Sequence, residues 1–515
     1  MTLNISRRTA LKTAAAAGAL SVAGMPALAA PKHGGTYRLG LTGGNTSDTW
    51  DSRTHSDAYM INMGHGCVFE CLTEVSAEGE LIGELATGWE ASADAKVWTF
   101  DLRKGVKFHN GKAFGADDVI ASMNMHVEED ASSAAKPIVA NVAEMKKLSD
   151  HQVQFVLKNG SADFPYLVSD YHICIFPAGQ IAEAIANGIG TGPYKVVAFD
   201  PGVRAMVSKF EDHWDADNRG YFAEVEQIYI GDASARVNAI MTSQVDAINR
   251  VELKSVKLLR NFVNIDVIDV TGNQHYTFPM LVGNAPFDNP DFRRALKWAC
   301  NRQEMVDKIL QGYGAVANDH PIGPANQYQA SDLPQTEYDP DKAAFYMKKS
   351  GLGNVTIDLS VAEAAFTGAG DAGALYQNTA GPAGININIV QEPNDGYWSN
   401  VWLRKPWCAC YWSGRATEDW MFATAYESGV PWNDTGWENE RFQSLLIEGR
   451  TELKTDRRRE IYHDMQEICS DDGATIVPMY ANFVDAKSNR VANNGQTGNL
   501  WQLDNLRSCK RWWTA

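Results

Sequence analysis

The clearest alternation of apolar and polar positions lies in the first third of the chain. Trp98, Phe100 and Leu102 occupy every second position, which is the period of a strand with one buried face. Asn110 and Gly111 follow and favour a tight turn, because both residue types tolerate positive φ. The pattern predicts a strand followed by a hairpin turn.

Sequence patterns typical of helices occur on both sides of the middle of the chain. Asp117 and Asp118 suit the positive N-terminal end of a helix. Further on, Asn289 can cap a helix that has Pro290 at its first position. Apolar residues then follow at i, i+3, i+4 and i+7: Phe292, Ala295, Leu296 and Ala299. Strands and helices alternate in this way along most of the chain, which predicts an α/β protein.

Length and charge narrow the class of protein. The chain has 515 residues, and a single hydrophobic core stops growing near ~250–300 residues, so two large lobes are expected. The formal net charge is −17 at pH 7, which disfavours a nucleic-acid partner.

The first residues have the features of an export signal. Arg7 and Arg8 precede a mildly apolar, alanine-rich run, and the small residues Ala27 to Ala29 offer a cleavage site. Residues 1–29 are therefore predicted to be a signal peptide, with the twin-arginine route favoured over the general secretory route. The mature protein is expected in the periplasm.

Signatures of catalysis and of bound metal are weak. The HExxH, GxSxG and Walker motifs are absent from the sequence, so an enzyme is not expected and no cofactor is predicted. His65, Cys67 and Cys71 lack the spacing of a zinc site. The eight cysteines are predicted to be buried thiols or to form long-range disulfides.

Several motifs occur in the order and spacing of one protein family. The chain resembles the bacterial extracellular solute-binding proteins of family 5, the dipeptide- and oligopeptide-binding receptors of ABC importers. The motifs that carry the resemblance are the segment from Leu85 to Met123, GTGPYKVVAFDPGVR, GDASARVNAIMTSQVDAI, PFDNPDFRRALKWACNRQEMVDKILQGYG and YDPDKAAFYMKKSGL.

The resemblance implies a two-lobed periplasmic binding protein of type II, cluster C, with an extra subdomain in lobe one and crossover strands as hinges. The hinges are expected near HYTFPMLVGN and IVPMYANFVDA. A small solute or peptide is expected between the lobes, the permease subunits of the importer are the expected protein partners, and the protein is expected to be a monomer. The predicted division is lobe one at 30–70, 201–280 and 481–515, the extra subdomain at 71–200, and lobe two at 281–480.

The ligand pocket departs from that of peptide-binding relatives. In those relatives a Trp-x-x-Asp segment of lobe two lines the pocket, and its Asp holds the peptide's α-amino group. Here Trp412 is retained, Ser413 and Gly414 follow, and Arg415 takes the acidic position. An arginine repels an ammonium group and favours a carboxylate or another anion. A shifted alignment that uses Asp419 would restore the acid.

At the first hinge, Leu281 replaces an asparagine that is common in the family. Tryptophans are dense in lobe two, which predicts either an aromatic pocket wall or core packing. The remaining residues predicted to contact ligand are Asn45, Tyr276, Phe278, Trp398 and Tyr480.

A peptide or peptide-like solute is the family expectation. A non-peptide solute, such as an opine, an oligosaccharide or an aromatic or anionic compound, is the alternative. A periplasmic hydrolase is the third class, and it would need a nucleophile and a base that the motifs do not supply.

Overall fold

The computed structural model describes residues 31–129, 131–394 and 396–515. The predicted signal peptide, residues 1–29, lies outside the described residues.

The strands, in chain order, are β1 (Thr36–Leu41), β2 (Thr73–Val75), β3 (Leu81–Gly83), β4 (Ala86–Ala91), β5 (Val97–Leu102), β6 (Val142–Ser149), β7 (Gln152–Leu157), β8 (Tyr194–Asp200), β9 (Arg204–Lys209), β10 (Glu224–Tyr229), β11 (Ala247–Ile248), β12 (Ile265–Pro279), β13 (Gly314–Val316), β14 (Val355–Val361), β15 (Ile385–Gln391), β16 (Cys410–Trp412), β17 (Thr475–Ser488), β18 (Val491–Ala492) and β19 (Trp513–Thr514).

The helices are α1 (Ala58–Met63), α2 (Ala116–Asn124), α3 (Lys136–Ala140), α4 (Phe164–Leu167), α5 (Ile181–Asn187), α6 (Ala233–Met241), α7 (Leu253–Leu259), α8 (Pro290–Ala299), α9 (Arg302–Lys308), α10 (Pro340–Ser350), α11 (Ala369–Ala380), α12 (Tyr397–Asn400), α13 (Glu418–Ala425), α14 (Glu440–Thr451), α15 (Thr455–Asp472), α16 (Gln502–Leu506) and α17 (Ser508–Arg511). In the described part of the chain, none of them is long and apolar enough to cross a membrane.

A large mixed sheet joins the two lobes. Its strand order is β16-β12-β17-β11-β1-β10-β9-β8, and β13 pairs with β17 off this path. β1 lies between β10 and β11 and is parallel to both. Residues of lobe one, including Tyr37 and Leu39, are fully buried against this sheet.

The long antiparallel strands β12 and β17 run from one lobe into the other. On β12, residues Ile265 to Thr271 pair with β17 beside lobe one, and residues His275 to Pro279 pair with it inside lobe two. The register shifts between Thr271 and His275, and such an irregularity bends a strand. Of the segments predicted as hinges, IVPMYANFVDA lies on β17, whereas HYTFPMLVGN begins on β12 and continues past its end at Pro279.

The extra subdomain is a separate sheet of order β4-β5-β7-β6. The predicted strand with Trp98, Phe100 and Leu102 on its buried face is β5, and α2 begins beside Asp117 as expected. The predicted segment 71–200 also contains β8, which pairs with β9 in the large sheet. The last strand of the predicted segment therefore belongs to the large sheet and not to the sheet of the extra subdomain.

Lobe two contains the second large core, around α8 to α11 and the parallel pair β14 and β15. Asn289 caps α8 as predicted, because its side chain accepts from the backbone N–H groups of Asp291 and Phe292 at 3.0 and 3.2 Å. The eight cysteines are buried and form no disulfide among the described residues.

The C-terminal segment returns to lobe one through an unusual turn. Four consecutive non-glycine residues from Leu503 to Leu506 have φ between 47° and 61°, which costs an L-residue roughly 1–2 kcal/mol each. Asp504 stabilises the turn by accepting from Gly498 N–H at 2.7 Å and from the Trp512 indole at 3.2 Å. The turn places residues of the tail on the wall of the space between the lobes.

Candidate ligand-binding cavity

A cavity of about 1650 Å³ lies between the two lobes. Lobe one contributes Tyr171 and Trp501, whose rings meet edge to face at 4.9 Å. Lobe two contributes Tyr276, Tyr411 and Arg415. The cavity is larger than the roughly 300–1,000 Å³ of most small-molecule sites, and its wall combines aromatic with charged side chains.

The loop after β16 carries Arg415 into this cavity. Its backbone is held by the side-chain amides of Asn273 and Asn326, which donate to the Arg415 carbonyl at 3.0 and 3.1 Å. Gly414 permits this close approach, because a Cβ at position 414 would lie 2.2 Å from Asn273 Cγ. The guanidinium donates from Nη1 to the Ser413 carbonyl at 2.7 Å.

Arg415 has no salt bridge within the part of the chain that the structure describes. The other arginines of the cavity wall each have an acidic partner: Arg250 with Asp57 at 2.7 Å, Arg450 with Glu427 at 2.8 Å and Arg507 with Glu84 at 3.2 Å. Burial lowers the pKa of Arg415 from its ordinary value, against the opposing effects of Tyr171 and Asp170. A half-buried cation without an ion pair is a ready partner for an anionic group.

The two acids that follow Arg415 are engaged by the protein. Asp419 accepts from Arg450 Nε at 3.3 Å, and burial raises its pKa to about 6 although Arg450 opposes the shift. Glu418 accepts from the Tyr328 backbone N–H at 2.8 Å, and burial raises its pKa to about 7. Asp419 lines the cavity wall, but its carboxylate already has a cationic partner.

Five of the residues predicted to contact ligand lie on the cavity wall: Tyr276, Ser413, Gly414, Arg415 and Asp419. Tyr276 presents its ring beside Phe366, with the two rings stacked at 4.2 Å and 6°. Tyr276 and Tyr411 also face each other across β12 and β16. The sequence pattern thus located the lobe-two wall of the cavity.

The other five predicted residues lie outside the cavity lining. Asn45 stabilises an exposed turn, since its Oδ1 accepts from Ser47 N–H at 3.0 Å. Tyr480 is buried, and its hydroxyl donates to the carbonyls of His320 and Ile322 at 2.8 and 2.9 Å.

Phe278 and two tryptophans are also placed away from the cavity. Phe278 is fully buried in lobe two, where its ring contacts Phe366, Tyr376 and Trp407 in the core. Trp412 is buried, and its indole donates to Asp434 Oδ2 at 3.3 Å. Trp398 is exposed and packs edge to face on Tyr411 at 5.5 Å.

Sequence reasoning missed most of the lobe-one wall. Tyr171 lies in a loop between two segments of lobe one, and Trp501 lies just before the left-handed turn of the tail. Neither segment has a periodic pattern that marks it as part of a pocket. Their contact joins residues far apart in sequence, which a local motif does not report.

Two groups of side chains among the described residues have the composition of a metal site, and one of them, unlike His463, Asp464 and Glu467, is buried. His65, Cys71 and Glu84 approach one another closely. Arg507 and Lys510 donate to Glu84 at 3.2 and 2.8 Å, and Arg507 also hydrogen-bonds His65. Two buried cations oppose the binding of a third positive charge, so this group is an ion-pair network.

The fold and the cavity define a class: a two-lobed type II periplasmic binding protein whose ligand site lies between the lobes. The model of bacterial extracellular solute-binding proteins, family 5 (middle region) matches residues 80–434. The chain belongs to this family of solute-binding proteins, and its relatives are binding proteins rather than enzymes.

Individual relatives are distant. The dipeptide-binding protein of Escherichia coli (strain K12) is 25% identical over 447 residues, which cover 77% of this chain and 80% of that protein. The solved structure of the periplasmic binding protein DppA from Helicobacter pylori with the peptide STSA has 20% identity and a TM-score of 0.75, and covers 94% of this chain and 99% of that chain. AgaA from A. tumefaciens R10 with agropinic acid has 19% identity and a TM-score of 0.75, and covers 93% and 99%.

Proposed function

We propose that this protein is the periplasmic binding subunit of an ABC importer and delivers a peptide or peptide-like acid to the permease. Membership in family 5 and the similarity to a dipeptide-binding protein support this role. We also propose that residues 1–29 direct export by the twin-arginine route. The protein is proposed to be a monomer. The export route is tested by comparing the periplasmic and cytoplasmic fractions of cells that express the wild-type protein with those of cells that express a variant lacking Arg7 and Arg8.

The ligand is held by closure of the two lobes about β12 and β17. Contacts from both walls exist together only when the lobes are close, so a ligand shifts the closure equilibrium by its difference in affinity for the two forms. The predicted division places lobe one at 30–70, 201–280 and 481–515, the subdomain at 71–200 and lobe two at 281–480, and we propose it with the boundary on β12 moved to the register shift after Thr271.

The observation that carries the ligand assignment is the unpaired guanidinium of Arg415 in the cavity. It takes the carboxylate of the solute through charge-assisted hydrogen bonds. Tyr276, Ser413 and Gly414 form the adjoining wall. For a peptide, the carboxylate is the C-terminal group or an acidic side chain.

A non-peptide acid is the second candidate, and a specific observation favours it. The two acids that follow Arg415 are not free for a peptide's α-ammonium, because Asp419 is paired with Arg450 and Glu418 is bound to the Tyr328 backbone. An acid without an ammonium group needs only Arg415. The similarity in fold to AgaA with agropinic acid is consistent with this candidate.

A thermal-shift screen of the mature protein separates the candidates. A ligand at a hundredfold excess over its Kd stabilises by about 2.7 kcal/mol. Shifts with di- and tripeptides support the peptide assignment, whereas shifts only with non-peptide acids support the second candidate. If neutral or cationic solutes alone give shifts, the role of Arg415 is refuted.

Calorimetry on Arg415→Ala then tests the anchor. Loss of a charge-assisted hydrogen bond is expected to weaken binding by about 1.5–3 kcal/mol. The matched control is Arg441→Ala, because Arg441 is exposed and pairs with Asp464 at 2.7 Å on the surface. Equal affinity of the Arg415 variant and the control for the acid would remove Arg415 from the site.

A further inference from the structure

Three exposed aromatic side chains lie near one another in lobe two: Tyr411 and Trp432 on the cavity wall, and Trp398 against Tyr411 outside the lining. Trp398, Tyr411 and Trp432 are 41%, 38% and 49% exposed. In the described part of the chain, the other exposed aromatic rings are Tyr229 and Phe345, which are not on the cavity wall. Large apolar side chains are seldom left in water together unless they bind something.

A rigid layer beneath these rings holds them in place. Trp402 and Trp412 donate their indole N–H groups to the same buried carboxylate oxygen, Asp434 Oδ2, at 3.1 and 3.3 Å. The Trp432 ring lies 6.3 Å from Trp402 and 6.1 Å from Trp412. The exposed rings are therefore supported before any ligand arrives, which lowers the entropy cost of binding.

The aromatic surface continues along the cavity wall. Tyr411 lies opposite Tyr276 in the strand pair, and Tyr276 stacks on Phe366 at 4.2 Å. We call Phe366, Tyr276, Tyr411 and Trp432 the aromatic strip. All four line the cavity.

The strip ends beside the cationic anchor. Tyr411 and Ser413 are two residues apart, and both are exposed, so their side chains emerge on the same side with Cα atoms about 7 Å apart. The Arg415 guanidinium is drawn back to the Ser413 carbonyl at 2.7 Å. A single small molecule can thus contact both the strip and the guanidinium.

We infer that the aromatic strip is a subsite for a planar ring, and that the solute class is an aromatic carboxylate with its acid group on Arg415. The inference rests on the carboxylate anchor of the proposed function and adds the second recognition element. A ring stacked on Tyr411 and Trp432 gains more than its buried area alone. A cationic ligand group is disfavoured on the strip. Arg415 would repel it, and the Asp434 carboxylate is already bound by the indole N–H groups of Trp402 and Trp412.

Calorimetry with four probes tests the inference: 3-phenylpropionate, its neutral amide, hexanoate and the disaccharide maltose. Wild-type protein is expected to bind 3-phenylpropionate about threefold to tenfold more tightly than hexanoate, which is the contribution of one aromatic pair. The neutral amide is expected to bind more weakly than the acid.

Variants assign the ring preference to the strip. Trp432→Ala and Tyr411→Ala are expected to weaken 3-phenylpropionate binding by about threefold to tenfold and hexanoate binding by less, so that the preference for the aromatic acid is lost. The matched control is Phe345→Ala, since Phe345 is a 61% exposed aromatic residue on α10 outside the cavity wall. Far-ultraviolet circular dichroism and thermal unfolding establish that each variant is folded.

The outcomes separate the two proposals. If both acids bind through Arg415 but the strip variants keep the ring preference, the subsite is refuted and the carboxylate anchor stands. If maltose binds and neither acid does, both are refuted.

Discussion

An ion pair between the lobes offers a direct test of closure. Arg458 on α15 of lobe two pairs with Asp163, just before α4 in lobe one, and the two side chains are only 8% and 3% exposed. Ala162 N–H also donates to the Arg450 carbonyl across the same boundary at 2.8 Å. These contacts close the cavity on the side away from β12 and β17.

The magnitude follows from the burial of the pair. Asp163 Oδ2 and Arg458 Nε have no hydrogen-bond partner among the described residues, so the pair is incompletely satisfied and its net contribution to closure is small. Removing one partner is different, because an uncompensated buried charge costs about 3–5 kcal/mol. Opening the lobes hydrates that charge, so the cost applies to the closed form only.

Arg458→Gln is therefore expected to weaken binding of the preferred acid by at least about 10²-fold. It is also expected to increase the radius of gyration of the liganded protein measured by small-angle X-ray scattering. Asp163→Asn combined with Arg458→Gln leaves no charge and is expected to recover most of the affinity. The reasoning is refuted if Arg458→Gln binds as tightly as wild type, or if the double variant is no better than the single one.

Three further variants probe the supports of the cavity. Gly414→Ala is expected to cost about 1–3 kcal/mol in chemical unfolding, because its Cβ overlaps Asn273; Gly283→Ala has open space and should be nearly neutral. Burial raises the pKa of Asp434 to about 6. Its contribution to the free energy of unfolding is therefore present below the unfolded-state pKa near 4 and is lost as pH rises through 6. Asp434→Asn should remove that pH dependence and stabilise the protein at pH 8 by up to about 3 kcal/mol; unchanged unfolding curves at pH 4 and 8 would contradict this. Asp504→Ala should cost about 2–3 kcal/mol by removing the acceptor of the Gly498 and Trp512 N–H groups, and a neutral effect on denaturant unfolding would show that the left-handed turn does not depend on it.

Local patterns predicted the parts of the fold that depend on near neighbours. The alternation of Trp98, Phe100 and Leu102 marks β5, and Asn289 caps α8 as its position implies. The turn from Leu503 to Leu506 has no such signature, because non-glycine residues adopt positive φ there only through tertiary contacts.

The residues of the candidate site also fall into those that a local motif marks and those that only tertiary contacts bring to the cavity. Arg415 could be recognised from a motif, because its position relative to Trp412 is a matter of counting residues. Tyr276 and Phe278 could not be separated by alternation, since both rings contact Phe366 and they differ only in how deeply the lobe-two core covers them.

The opposite wall explains why a sequence motif alone leaves the solute undefined. In the proposed site Arg415 selects the charge of the bound group, and the rings of Tyr171 and Trp501, which meet at 4.9 Å on the opposite wall, limit the room that faces it. A change at Arg415 would alter which charge is accepted, whereas a change in the tail would alter the shape that closure requires. Substitutions in the tail are thus expected to change which acid fits without changing the charge that Arg415 selects.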